Sequence, residues 1–439
     1  MIATVCVPPT GTETRARRHS NPTFPMSPVI WRSPGPDRFR QKKGSVTVHK
    51  VIAGMLGALV VLAGCGTAKD SSSGDASGPF QVLVVTGTSG AYAQFANANV
   101  TGIKAAAKVI NERGGIDGRK VEIKVVDDQS DATQAVSLLQ QELARSRPNL
   151  VWFFTIGEGQ ALMPILNGEK VLVVTNSGDP LADPAKYPYL TSLAADQKAP
   201  YVAMRQRLEA EGAKKVGFIT TNDGVGQVDW PAFQEAMKGS GMTLFNEPVN
   251  LNSLNVTPNM LSLKNKGIDH LVVESYTALT SYIFSARTAA GMDDIPTIGD
   301  SPVAQTDPAK AIAPADQKNV VLVAANPQVE GGVSGAGWDK MVGALKATGG
   351  ISVVQSQATV YTGLQAIAAA AAKAGSTDPG DMIKVLRGKL ESPEFTFPQV
   401  WEPVSPTSNL LKSPPKDFNF VKVAPYNEIG QFPAGAVVH

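Results

Sequence analysis

Short β-branched runs separated by amphipathic helical patterns recur along most of this chain, and they limit its possible folds more sharply than any other feature. Strand-like segments stand at Phe80 to Val85, Val121 to Val126, Leu150 to Phe154 and Val171 to Thr175. Between the first two, Val100, Ile103, Ala107 and Ile110 make a helical stripe that Gly114 and Gly115 can close. Asp131 can cap a second helix in which Val136, Leu139 and Leu143 share a face. The pattern restarts with strands at Lys215 to Thr220, Met242 to Val249, His270 to Val273 and Pro296 to Ile298. Helices are expected near 198–211, 229–239, 257–266 and 277–290, with Thr257-Pro258 as a helix start. Val320 to Ala325 reads as a further strand and Tyr361 to Ala374 as an Ala-rich helix ended by Gly375, while the Pro-rich C-terminal stretch reads as irregular strands and loops.

Such alternation predicts an α/β protein whose parallel sheets carry helices on both faces. Two sets imply two lobes, which we expect at residues 80–196 with 320–390 and at 197–319 with 391–439. Ligands of open α/β sheets bind beyond the carboxyl ends of the strands, so the facing ends of two such sheets predict a hinged cleft between the lobes.

The N-terminal part obeys different rules. Of 40 Lys+Arg and 38 Asp+Glu, residues 1–50 take nine bases and two acids, leaving 31 bases against 36 acids from Cys65 onward. Val51 to Gly64 is uncharged and apolar; as a helix it spans about 21 Å at ~1.5 Å per residue, short of a bilayer core of ~30 Å. A basic flank, an apolar stretch and small residues at the exit form a secretory signal. We therefore expect a signal peptide at 46–64 and a flexible Ser/Gly linker at 65–79. Residues 1–45, with seven prolines and no period, are expected to be disordered or a misassigned extension upstream of a start at Val46 or Val48.

Several functions are disfavoured. The formal charge of +2 leaves no footprint for nucleic acid, and two cysteines and four histidines supply neither a disulfide framework nor a metal cluster. Gly87-Thr88-Ser89-Gly90 lacks the Lys-Ser/Thr of a phosphate-binding loop. A nucleophilic triad would have to use His270, and no GxSxG, HExxH or CxxC motif is present, so no catalysis, cofactor or metal is expected.

Ser89-Gly90-Ala91-Tyr92-Ala93-Gln94-Phe95, Gly114-Gly115-Ile116-Asp117-Gly118-Arg119 and Asp127-Asp128-Gln129-Ser130-Asp131 resemble signatures of the leucine/isoleucine/valine-binding type of periplasmic binding protein. Asn222-Asp223-Gly224-Val225-Gly226 and Ala374-Gly375-Ser376-Thr377-Asp378 are similar to later ones, and the resemblance spans residues 80 to 390. Leu62-Ala63-Gly64-Cys65 resembles the bacterial lipobox, whose cysteine becomes lipid-bearing.

The resemblance implies a type I two-lobe receptor of an ABC importer, anchored by lipid on Cys65 to the outer face of the membrane. It would be a monomer that hands a small solute, an amino acid or related amide or organic acid, to a permease and ATPase. It also implies a site: Ser89 and Phe95 at the first lobe's lip, Thr155 and Gly157 at a helix start facing a ligand carboxylate, and Ser177 and Asp179 after the fourth strand. Tyr276 and Asp300 would stand on the second lobe, Asp300 as partner of an ammonium. Val225 departs from a family aromatic and Asp179 from a neutral hydroxyl residue, and a carboxylate at 179 would repel an α-carboxylate. The alternative reading is a ligand-sensing subunit for a membrane signalling partner.

Overall fold

The computed structural model describes residues 78–90, 92–178, 181–194, 198–276, 278–305 and 307–438. The expected extension, signal peptide, Cys65, most of the linker and Asp179 lie outside the described residues.

Strands β1 (Phe80–Thr86), β2 (Val121–Asp127), β3 (Leu150–Phe153), β4 (Leu172–Thr175) and β5 (Leu190–Ser192) form a parallel sheet in the order β2-β1-β3-β4-β5. Its central strands are apolar on both faces because both are covered. Val82 and Val84 point into one core with Ile103 of α1 (Ala93–Glu112). Leu83 and Val85 point into another with Leu139 of α2 (Ala132–Arg145) and Leu162 of α3 (Ile156–Glu169). Asp131 caps α2 by accepting from Gln134 N at 2.8 Å.

The second lobe repeats the scheme with α4 (Lys198–Ala210), β6 (Lys215–Thr221), α5 (Gly224–Ala236), β7 (Thr243–Val249), α6 (Thr257–Asn265), β8 (His270–Val273), α7 (Leu279–Ala289) and β9 (Thr297–Gly299). After the short α8 (Ser301–Gln305) and α9 (Pro308–Ala311) comes β10 (Val320–Ala325), and the parallel order is β10-β9-β8-β6-β7. Phe218 faces Tyr201 and Phe233 on one side, and Ile219 faces Met260 and Ile283 on the other.

The return segment differs from the expected division. β10 pairs in parallel with β9 at Val320↔Thr297, so residues 320–325 belong to the second lobe, where the open edge of β9 receives them. The chain then crosses back into α10 (Ala336–Thr348), α11 (Val354–Ala374) and α12 (Pro379–Leu386), whose Met341, Leu364, Ile367 and Ile383 share a core with Val82 and Ile103.

Residues 391–411, expected on the second lobe, also belong to the first. β11 (Leu390–Glu391) and β12 (Val400–Trp401) bring Phe395 and Trp401 into that core, and Trp401 Nε1 donates to Leu386 O at 2.8 Å. A last crossing leads to β13 (Phe418–Lys422), antiparallel to β10, and β14 (Val437–Val438).

α1 and α11 hold the return segment to the first lobe through a close approach at Gly102. A Cβ there would lie 2.5 Å from Val360 Cγ2 and 2.9 Å from Gln357 O. Gly102→Val should therefore destabilise the fold by about 1–3 kcal/mol through overpacking, read as a lower midpoint in urea unfolding with an unchanged slope. An unchanged midpoint would show that the two helices separate freely.

Candidate functional site

Parallel strands leave helix starts and loops at one sheet edge, and here the carboxyl edges of both sheets face a cavity of about 510 Å³. Tyr92, Phe95 and Asn99 reach it from α1 and its approach, and Phe154, Thr155, Gly157 and Glu158 from the β3–α3 junction. Val225 and Tyr276 face it from the second lobe. The crossing segments contribute Leu193, Ala194, Leu411 and Lys412, and α11 contributes Gln355 and Thr359.

The start of α3 is closed from within. Thr155 Oγ1 accepts from Glu158 N at 3.2 Å, and Glu158 Oε2 accepts from Phe154 N at 2.8 Å and Thr155 N at 2.9 Å, a capping box. Glu158 is thus tied to the helix end it would otherwise leave open to an anion. Asp128 lies fully buried beside it, with Oδ1 bonded to Ser130 N at 2.9 Å and Oδ2 meeting no N–H or O–H donor. Burial first, then the Glu158 carboxylate, pushes Asp128 up to about 7.

On the second lobe Asp223 caps α5, its Oδ1 accepting from Val225 N at 3.0 Å and Thr221 Oγ1 at 2.9 Å. Its other oxygen accepts from the Tyr276 hydroxyl, and the Tyr276 ring stacks on Tyr92 of the first lobe at 6.1 Å and 28°. Burial, then the bond to Asp223, raises the Tyr276 hydroxyl well above its usual range. Deeper lie Asp229, Glu274, Asp300 and Tyr201, all buried. Glu274 Oε2 accepts from Thr220 Oγ1 at 3.0 Å and Thr221 N at 3.1 Å, while Oε1 has no partner. Burial leads in raising all three acids, Glu274 to about 7, Asp300 to about 6 and Asp229 well above its ordinary value. Among the described residues no cluster is placed to hold a metal ion.

Of the expected site residues, the structure brings Phe95, Thr155, Gly157, Ser177 and Tyr276 to the cavity wall. Ser89 stands apart from it, exposed, donating through Oγ to Asp127 Oδ2 at 2.8 Å and through N to Oδ1 at 3.1 Å, a tie between the loops after β1 and β2. Asp300 also stands away from the wall: it is buried, its N–H pairs with Val273 O at 2.8 Å and its Oδ1 accepts from Ser301 N at 2.6 Å. Thr155 and Glu158 spend their hydrogen bonds on each other. Sequence reasoning missed Tyr92, Asn99, Glu158 and Lys412 at the wall; the Thr155-x-x-Glu158 spacing was a readable capping signal.

Comparison with known proteins gives a consistent picture. The family described as periplasmic binding protein matches residues 79–401. The Leu/Ile/Val-binding protein of Escherichia coli K12 is 24% identical over 217 residues, which are 48% of this chain and 59% of that relative. A Rhodopseudomonas palustris ABC-transporter solute-binding protein in complex with 4-hydroxybenzoate superposes with a TM-score of 0.67 at 19% identity, covering 80% of this chain and 94% of the other. The branched-chain amino acid transporter substrate-binding protein of Streptococcus pneumoniae in complex with isoleucine gives 0.62 at 18%, covering 82% and 98%.

The buried acids set a direction for stability with pH. Unfolded, Asp128 and Asp300 ionise near 3.8 and Glu274 near 4.5; folded, they hold protons to about 7, 6 and 7. Their raised values stabilise the fold fully below about pH 4, and this contribution is lost as pH rises towards 7. Despite partial burial, hydrogen bonds hold Glu247 and Asp269 below their ordinary values, an opposing effect confined to lower pH. Tm should therefore fall from pH 5 to 8 at fixed ionic strength, with a shallower slope in Asp128→Asn. A Tm that rises over that window would mean the acids are ionised and paired in the fold.

Proposed function

This chain belongs to the periplasmic binding protein family, and from that premise we propose that it is the extracytoplasmic solute-binding subunit of an ABC importer. It closes its lobes around a small solute and presents the closed form to a permease driven by a cytoplasmic ATPase. The family is one of solute-binding proteins and not of enzymes.

The observation that carries the reading is the chemistry of the cavity wall. The wall is mostly apolar by area, and the polar side chains of Asn176, Ser177, Gln305 and Thr359 interrupt it. A polar group left unpaired on burial costs about 1–3 kcal/mol, so a solute whose polar group meets those side chains is favoured. The solute is thus a compact molecule with an apolar body and a polar group.

A thermal-shift screen of amino acids, amides, polyamines and aromatic acids should find one class that raises Tm. At ~100 times its Kd such a solute adds about 2.7 kcal/mol. Cells lacking the protein should lose uptake of that same solute. A panel without effect on Tm, or uptake that persists unchanged, would remove the proposal.

Among the described residues no helix is long and apolar enough to cross a membrane. We place attachment at Cys65, as a lipid-bearing first residue of a monomer on the outer face of the membrane. Cys65→Ala should abolish incorporation of labelled palmitate and release the protein from the membrane fraction; label retained in the variant rules Cys65 out.

A further inference from the structure

Resting on the solute-binding reading, we infer that the cleft recognises a carboxylate on an apolar or aromatic body, and that it does so through Lys412 on the last crossing segment and not through the start of α3. Among the described residues, Glu158 and Lys412 are the charged members of the cavity wall. Glu158 accepts two backbone N–H groups in the cap of α3, so the helix end most suited to an anion already has its counter-charge. A ligand carboxylate placed there would meet Glu158 instead of open donors.

Lys412 is disposed differently. Its ammonium donates to Glu402 and carries three donors in all, so it retains hydrogen-bonding capacity towards the cleft. The Lys412 side chain is 49% exposed, so no buried packing fixes it. It also borders an adjoining cavity of about 560 Å³ that shares Phe397, Pro398 and Ser413 with the cleft. On that second wall Lys198, Lys389, Lys412 and Lys416 face two acids, Glu402 and Asp417. Lys389 there pairs with Glu391 and Lys412 with Glu402, and of these lysines Lys412 is the one that also lines the cleft itself.

The same wall disfavours a zwitterion. An ammonium group needs a carboxylate in the wall, yet Glu158 is spent on α3, Asp223 on α5 and Tyr276, and Asp300 lies beneath the wall. What remains is an aromatic enclosure of Tyr92, Phe95, Phe154 and Tyr276, suited to a ring or branched body.

Calorimetric titration with paired probes tests this: benzoate, 4-hydroxybenzoate, phenylacetate and octanoate, each beside its neutral amide, with leucine as the zwitterion. At least one carboxylate should bind more tightly than its amide and than leucine. Lys412→Gln should weaken that carboxylate about tenfold or more, as for loss of a charge-assisted hydrogen bond, and leave the amide within about twofold. Glu402→Gln, which releases the lysine, should strengthen the carboxylate. A general structural defect would not produce these opposite shifts. The inference is overturned if leucine or an amide binds best, or if Lys412→Gln leaves carboxylate affinity unchanged. If no solute of any class binds, the solute-binding reading itself falls.

Discussion

A parallel strand pair cannot be closed by a tight turn, and the rest of this structure depends on that constraint. Each of β1, β3, β4, β6 and β8 must hand the chain to a segment that travels back along the sheet before the next strand is laid down. Every such hand-over falls at the carboxyl edge. The cavity wall consequently comes from short stretches far apart in sequence: Tyr92 after β1, Phe154, Thr155, Gly157 and Glu158 after β3, Ser177 after β4, Val225 after β6 and Tyr276 after β8. The crossings between lobes then decide which two edges face one another. Because the return helices α10 to α12 pack into the first lobe's core, the last crossing must pass beside the cleft, and it carries Lys412 there.

Electrostatically the site is built from acids that have already been used. Asp223 and Glu158 each satisfy a helix start, and both stand in or beside the cavity wall. Behind them Asp128, Asp229, Glu274 and Asp300 are buried without a cation, a state that full ionisation would make prohibitive. Burial raises all four above the ordinary carboxylate range, so each takes up a proton at a higher pH than an exposed acid and its negative charge is reduced first as pH falls. Counting carboxylates along the chain therefore overstates how many are available to a ligand.

The fold was legible to the extent that periodicity reports burial. β1, β3, β4, β6, β8 and β9 lie where apolar runs occur, because strands covered on both faces are apolar throughout, while β2 and β7 at the sheet edges mix exposed and half-buried residues. α10 was missed because Gly337 and Gly343 weaken its local signal while tertiary packing supplies the stability, whereas Asp378-Pro379 was a readable start for α12. The lobe assignment of β10 and of residues 391–411 was not legible either, since hydrogen bonding to β9 and the burial of Trp401 decide it. Site positions after strands were readable in place but not in role. Ser89 and Asp300 have suitable side chains at suitable positions, yet a loop tie to Asp127 and a backbone bond to Val273 turn them to other tasks. Lys412, inside an irregular Pro-rich stretch, carried no pattern at all.

The contacts between the lobes also indicate how closure must be driven. Across the cleft Tyr92 stacks on Tyr276, and Ser356 Oγ on α11 donates to Gln305 Oε1 of α8 at 3.2 Å. A stacked aromatic pair contributes about 0.5–1.5 kcal/mol and a neutral hydrogen bond about 1 kcal/mol, so together they favour closure by only a few kcal/mol. The ordering of side chains and the drying of the cavity wall oppose them by a similar amount. With these terms nearly balanced, modest differential binding redistributes open and closed forms, whereas a shift from 1:99 to 99:1 needs about 5.5 kcal/mol. A solute that fills the enclosure of Tyr92, Phe95, Phe154 and Tyr276 supplies interactions available only when both lobes surround it, so the energy of recognition and the energy of closure have one source.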